Sequence, residues 1–386
     1  MTKILATPHF NPRRRLCLRA VATGTLGAAG ALVAPSTFAY PGRPHDEQAY
    51  YTGQMAQADY SNWMSKFSPS KRLIDMSIPG THDTMATVSE YGHAAQCQTM
   101  SLAQQLKAGI RFFDFRVGIA RAPSFPANDL SFWHGPAQFA TCLGRDAMPT
   151  IRKFLDDNPS EAVFIRLKKE RSDDDNKEVN DRCRNILFGS NSSYMYHYPG
   201  RRISDVRMEH VRGQIVIFRD LAEDADTYGF KYGSDPDDTR RFGIAIQDNY
   251  ALKTNWDLYW KWQRVREFLG WSIGGPARTN QLYINFISAG TGSYPYFVAS
   301  GYDSMNGNAL TTGLLTVTDK YPDFKKSGGF WYFTGTNILT YEALNGLGHV
   351  GEAFPQLKTM KNFGVIMMDF PATGLIKSII DHQDVA

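Results

Sequence analysis

The sequence predicts an α/β fold: a single-domain (βα)8 barrel of the TIM type, with a long insert before its last strand. Two patterns predict it. Apolar runs of strand length recur at 72–78, 110–117, 130–134, 162–168, 214–219, 243–247, 281–287 and 364–369. Helical periodicity intervenes at 99–108, 146–157, 174–187 and 255–269, and strands mixed with helices in this way suggest a barrel, here with irregular spacing. A third observation concerns continuity. After residue 39 no linker rich in Pro, Gly or Ser and no internal repeat divides the chain, so it reads as one domain, although its length would allow two.

Residues 1–39 read as an export segment. Arg13-Arg14-Arg15 and Leu16-Cys17-Leu18-Arg19 precede a small-residue apolar run from Ala20 to Ala34, and Thr37-Phe38-Ala39 supplies a small-x-small cleavage site. Arg14-Arg15 followed by Leu18-Arg19 favours the twin-arginine (Tat) route over Sec, with Cys17 standing where Phe is usual. The run falls short of the roughly 20 apolar residues that span a bilayer and is diluted by glycine, which favours cleavage over anchoring. The segment holds five basic residues and no acidic ones, so its removal turns the formal +4 into 37 basic against 38 acidic, or −1. The remaining chain has no global field to attract nucleic acid or anionic lipid, and any attraction must be local. Three cysteines remain, Cys97, Cys142 and Cys183. An odd count leaves at least one thiol over, and Cys97 with Cys142, both near the rim, is the expected pair.

The domain proper, 40–386, begins with an approach segment at 40–70, where Tyr60, Trp63 and Phe67 suggest an amphipathic helix whose aromatics anchor the core. Leu73-Ile74-Asp75-Met76 reads as the first strand, stopped by Pro79 and Gly80 in Ser77-Ile78-Pro79-Gly80-Thr81-His82-Asp83. His82 and Asp83 then lie past a strand's C-terminal end, the rim on which barrels place catalytic groups. In Gly109-Ile110-Arg111-Phe112-Phe113-Asp114-Phe115-Arg116-Val117 the period of two turns Asp114 and Arg116 to one face. Phe132-Trp133-His134-Gly135 and Phe164-Ile165-Arg166-Leu167-Lys168-Lys169-Glu170 are apolar runs that also end in ionisable groups. The connection 288–363 is unusually long between barrel strands. In it Phe330-Trp331-Tyr332-Phe333 suggests a strand, 341–361 suggests helix, and Ser293-Tyr294-Pro295-Tyr296-Phe297 either enters a membrane or packs on the insert.

With these stretches, together with Leu282-Tyr283-Ile284-Asn285-Phe286 and Val365-Ile366-Met367-Met368-Asp369, the chain resembles the bacterial phosphatidylinositol-specific phospholipase C family. The resemblance runs from about Ser77 to Phe370 and rests on six stretches in the same order. It implies a distorted, incompletely closed barrel that cleaves phosphatidylinositol at a membrane surface. The products would be diacylglycerol and inositol 1,2-cyclic phosphate, with glycosylphosphatidylinositol anchors as a second substrate. It further implies a monomer without metal or other cofactor.

Cleavage of a phosphodiester by a neighbouring hydroxyl needs a base, an acid and a fixed positive charge. Two histidines suit the first two roles. The residues alone do not order them; the resemblance makes His82 the base and His134 the acid. It makes Asp369 the partner of the base, against the alternative of a helix cap before Pro371-Ala372-Thr373. Arg116 stands where metal-dependent relatives carry a calcium-binding carboxylate, and Asp83 pairs with it, with Asp114 in support. For the head group it implies Lys168, Asp248 and the ring face of Tyr250. It also expects an arginine at the end of the fifth strand, where Ile217-Phe218-Arg219-Asp220 offers Arg219 although strict counting lands on Asp220.

Two other classes compete. One is a barrel phosphodiesterase for glycerophosphodiesters or sphingolipids, which usually clusters acidic metal ligands where this chain has Arg116 and Lys168. The other is an inactive lipid-binding module, against which the joint presence of His82, His134, Arg116 and Asp369 argues. Export is tested directly: mass spectrometry of secreted material should show Tyr40 as the N-terminus, and an active, membrane-embedded form that keeps Met1 would overturn the reading.

Overall fold

The computed structural model describes residues 46–53, 58–88, 91–197, 202–221, 228–233, 243–274, 280–315 and 320–384; residues 1–39, the expected export segment, lie outside them. In chain order the strands are β1 Ser77–Thr81, β2 Phe112–Ile119, β3 Leu130–His134, β4 Ala137–Cys142, β5 Val163–Lys169, β6 Ile215–Asp220, β7 Phe230–Lys231, β8 Ile244–Gln247, β9 Ala251–Leu252, β10 Leu282–Phe286, β11 Gly290–Thr291, β12 Lys325–Ser327, β13 Phe330–Tyr332 and β14 Gly364–Met368. Eight of them form one parallel sheet in the order β8-β10-β14-β1-β2-β5-β6-β7. Each neighbours the next in the chain, as in an α/β barrel. Among the described residues no ladder joins β7 to β8, and the curled sheet is that of a distorted barrel.

The expected helices form at Leu102–Lys107, Met148–Asp157, Asn176–Phe188 and Leu258–Gly274. Their starts are written locally. Ser101 and Gln104 make a reciprocal capping box, and Asp175 caps its helix by accepting from the Glu178 N–H.

Several expectations need correction. The run 130–134 is no barrel strand: β3 runs antiparallel to β2, with Val117 opposite Phe132, and forms a hairpin with β4. Its place in the barrel is taken by β7, two residues long and too short for a period to show. Leu73–Asp75 is a 3-10 turn, and β1 runs through Pro79 and Gly80 instead of stopping at them. Gly80 is there for space: a Cβ would meet Met367 Sδ at 2.5 Å and Phe112 O at 3.0 Å. Where the sequence predicts an amphipathic helix, the approach segment has a 3-10 turn, Trp63–Lys66, preceded by a short helix Asp46–Ala49, and Trp63 and Phe67 are buried as anchors. Cys97, Cys142 and Cys183 are all buried, and Cys97 and Cys142 are free thiols. Cys142 closes β4 opposite Ser131, whereas Cys97 lies under the catalytic rim beside His134, so the expected Cys97–Cys142 pair does not form.

The insert has structure of its own: a helix Pro295–Ser300, the β12–β13 hairpin and helices Thr336–Asn345, Gly348–Ala353 and Gln356–Thr359. It braces the last strand, because the Asn337 side chain donates to the Asp369 carbonyl at 2.8 Å.

Below the barrel, Arg111 and Glu161 are fully buried and paired at 2.8 Å. Arg111 also donates to the carbonyls of Leu106, Ile110, Tyr60 and Ser61, and its guanidinium lies 4.5 Å from the Phe154 ring centre. Removing one partner strands the other charge. Glu161→Ala should therefore lower stability by about 3–5 kcal/mol, read as a shifted urea midpoint.

Candidate active site

The rim is assembled by register. β1 and β14 pair Thr81 with Met368, so the next residue on each strand, His82 and Asp369, must lie side by side. They do: His82 Nδ1 is 2.9 Å from Asp369 Oδ1. The Gln98 side chain fixes both backbones by donating to the carbonyls of His82 and Met368. The residues that follow each of the pair, Asp83 and Phe370, take positive φ values of 41° and 47°. Side chains other than glycine occupy that region at a cost of about 1–3 kcal/mol. The Asp83 turn is held by its N–H on Asp114 Oδ2 and by the Thr84 N–H on the Asp114 carbonyl.

β2 and β5 pair Asp114 with Arg166 and Arg116 with Lys168. All four share one face by the period of two, and that face is the barrel interior. Arg116 donates from Nε to Asp114 Oδ2 at 3.0 Å and from Nη2 to His82 Nε2 at 2.7 Å. A guanidinium can only donate, so Nε2 carries the lone pair and Nδ1–H donates to Asp369. His134, at the end of β3, donates from Nδ1 to the Ala95 carbonyl at 2.9 Å. The two imidazole rings stand 6.2 Å apart, almost perpendicular. Asp83 Oδ2 lies 3.7 Å from Arg116 Nε and 3.8 Å from His134 Nδ1, and it accepts no hydrogen bond from the described residues.

Charge follows burial. Burial, and then the Arg116 guanidinium, hold His82 well below the ordinary imidazole range. Burial lifts Asp83 to about 6, against the pull of His134 and Arg116. Burial would raise Asp114 too, but Arg116 and Arg166 outweigh it and keep the carboxylate far below its usual range. The site at rest therefore offers a neutral base beside a fixed cation.

A cavity of about 790 Å³ opens over these groups, lined by His82, Arg116, His134, Lys168, Asp248 and Tyr250 among others. Of the residues singled out in the sequence, His82, Asp83, Arg116, His134, Asp369 and Asp114 form one cluster, and Lys168, Asp248 and Tyr250 face the same space. Arg219 does not. β5 and β6 pair Leu167 with Arg219, so its side chain has the parity opposite to Lys168 and packs on the Tyr228 ring outside the barrel. Arg166, given no role from the sequence, lines the cavity and pairs with Asp220 at 2.6 Å and Asp114 at 3.3 Å. Its alternation with Lys168 was the available signal. Glu170, the last residue of the Leu-Lys-Lys-Glu stretch, accepts from Lys168 Nζ at 2.8 Å and from the Gly135 N–H.

The stretch 293–297 divides. Tyr294 is 51 % exposed on the cavity wall, whereas Tyr296 and Phe297 are buried, the latter against Phe333 of the insert. Metal-ligating side chains come together in two sets that share Cys97: His82, Cys97, Asp369 and Asp83, Cys97, His134. In an NMR titration the His82 resonances should shift only well below pH 6.5. In Arg116→Gln the midpoint should move up, because burial remains but the neighbouring cation is gone; an unchanged midpoint would mean that Arg116 does not set it.

Residues 72–220 match the family model described as phosphatidylinositol-specific phospholipase C, X domain. The 1-phosphatidylinositol phosphodiesterase of Listeria monocytogenes is 28% identical over 316 residues, covering 78% of this chain and 83% of that protein. The Staphylococcus aureus protein of the same name is 25% identical, over 63% of this chain and 80% of its own length. The solved structure of the Listeria phosphatidylinositol-specific phospholipase C superposes with a TM-score of 0.59 at 24% identity, covering 85% of this chain and 100% of that one, which supports the barrel independently of sequence. Residues 72–220 thus match the X domain of phosphatidylinositol-specific phospholipase C, and the chain as a whole is similar in sequence and fold to the bacterial proteins of that name.

Proposed function

We propose that this chain is an exported phosphatidylinositol-specific phospholipase C that acts without metal. The observation that carries the reading is the grouping of two imidazoles and a guanidinium on one cavity wall, with Asp369 behind the first imidazole. His82 Nε2 takes the proton of the inositol 2-hydroxyl, whose oxygen attacks phosphorus. The imidazolium that forms is stabilised through Nδ1–H by Asp369. Arg116 forks onto the non-bridging phosphoryl oxygens, so an incoming phosphodiester must draw it away from His82 Nε2. His134 gives a proton from Nε2 to the departing diacylglycerol oxygen, and the phosphorus–oxygen bond breaks. The products are diacylglycerol and inositol 1,2-cyclic phosphate; slow hydrolysis of the latter runs with the histidine roles reversed.

Lys168 and Asp248 grip ring hydroxyls and Tyr250 offers its face to the ring. Choline and ethanolamine lack those hydroxyls, and a site built around such hydrogen bonds rejects ligands without them. Glycosylphosphatidylinositol anchors carry the same ring and are the second substrate class. The enzyme works as a monomer at the membrane surface, leaves the cell after cleavage near Ala39 by the Tat route, and comprises the catalytic barrel 40–386.

Phosphorus NMR of the products tests the reading. Phosphatidylinositol should give the cyclic phosphate and phosphatidylcholine almost nothing; efficient phosphocholine release moves the assignment to another barrel phosphodiesterase. His82→Ala and His134→Ala should each lower turnover by about 10²–10⁴, with losses that do not add. Excess EDTA should leave activity intact. Arg116→Lys should recover little of what Arg116→Ala loses, since a point charge cannot reproduce the two-pronged fork. Activity lost in EDTA and restored by calcium would show that a metal carries the charge instead.

A further inference from the structure

Behind the two histidines lies a group that the proposed chemistry does not use. The Cys97 thiol is wholly buried, with Sγ 3.8 Å from His134 Nδ1. Asp83 Oδ2 is also 3.8 Å from that nitrogen. One ligand atom from each of Asp83, Cys97 and His134 lies within 4.8 Å of the other two. Zinc bonds of about 2.0–2.3 Å to nitrogen, oxygen and sulfur place tetrahedral ligand atoms roughly 3.3–3.7 Å apart, so little movement would close the set.

A second, independent observation points to a ligand. Asp83 is 1 % exposed and its Oδ2 accepts no hydrogen bond from the described residues. A buried carboxylate oxygen without a donor is costly, and a cation among these groups would meet that need. Arg116 opposes one, with Nε 3.7 Å from Asp83 Oδ2. Its charge is already shared with Asp114 at 3.0 Å and Glu170 at 3.6 Å.

We propose that Asp83, Cys97 and His134 bind a thiophilic divalent cation of the zinc type, and that its occupancy switches the reaction off. Binding releases the thiol proton to solvent. The His134 proton moves from Nδ1 to Nε2, and the bond to the Ala95 carbonyl is given up. His134 then cannot cycle as an acid, and Asp83 no longer serves Arg116. Calcium and magnesium prefer all-oxygen shells and do not compete. The inhibition rests on the phospholipase reading above; the cation site rests on geometry alone.

Titration of the full chain with Co²⁺, then Zn²⁺, tests it. Co²⁺ should give a thiolate-to-cobalt charge-transfer band in the wild type. The band should persist in Cys17→Ala/Cys142→Ala/Cys183→Ala, where Cys97 is the sole thiol, and vanish in Cys97→Ser. Zn²⁺ should lower phosphatidylinositol turnover by at least about tenfold, reversibly with EDTA, and Cys97→Ser should raise the half-inhibitory concentration by about 10–100-fold. Cobalt bound without a thiolate band, or equal zinc sensitivity in Cys97→Ser, overturns the proposal. The spectrum needs no turnover, so a chain that binds cobalt through Cys97 yet leaves phosphatidylinositol intact refutes only the functional reading.

Discussion

The ladder between β1 and β14 fixes where everything else can be. Thr81 faces Met368 across it, and a slip of one residue would part His82 from Asp369 and turn the neighbouring side chains to the wrong face. The close approach at Gly80, the Gln98 amide spanning both carbonyls and Asn337 on the Asp369 carbonyl all guard that register. Even the two positive-φ residues belong to it, since each follows one member of the pair and carries the chain sharply off the rim. Local backbone strain is tolerated here because the surrounding hydrogen bonds overdetermine the turn.

Arg116 is the second constraint. It touches His82, Asp114, Asp83 and Glu170 at once. Buried with so many carboxylates, it keeps its charge; it holds Asp114 ionised and adds to the burial that holds His82 below the ordinary imidazole range. The lone pair of His82 Nε2 is thus covered by an arginine hydrogen. On the proposed mechanism an arriving anion both uncovers that base and takes the cation it needs, which would couple binding to activation without any moving lid.

Much of this was legible in the sequence because it depends on short periods. The alternation Asp114-Phe115-Arg116 places two polar groups on the inner face without reference to the rest of the fold. The same parity argument turns Arg219 outward, because it lies opposite Leu167. What stayed hidden depends on long-range pairing. The antiparallel return of β3 delivers His134 to the site from outside the barrel order, and its apolar run does not distinguish it from a barrel strand. Cys97 likewise stands in a loop whose sequence says nothing of the two histidines it will meet. β7 is hidden for a simpler reason: two residues cannot display alternation.

Position along the row of described strands divides the labour of the sheet. Asp369, His82, Arg116 and Lys168 ride on β14, β1, β2 and β5, the middle of the row, each strand clasped on both sides. Asp248 and Tyr250 follow β8, which among the described residues borders the sheet with β10 as its barrel neighbour. The groups proposed to make and break bonds therefore stand on strands braced on both sides, while those proposed to recognise the head group hang from the margin of the described sheet. Descendants of such a scaffold can change their diet by rewriting that border loop, and the chemistry at the centre need not be invented again.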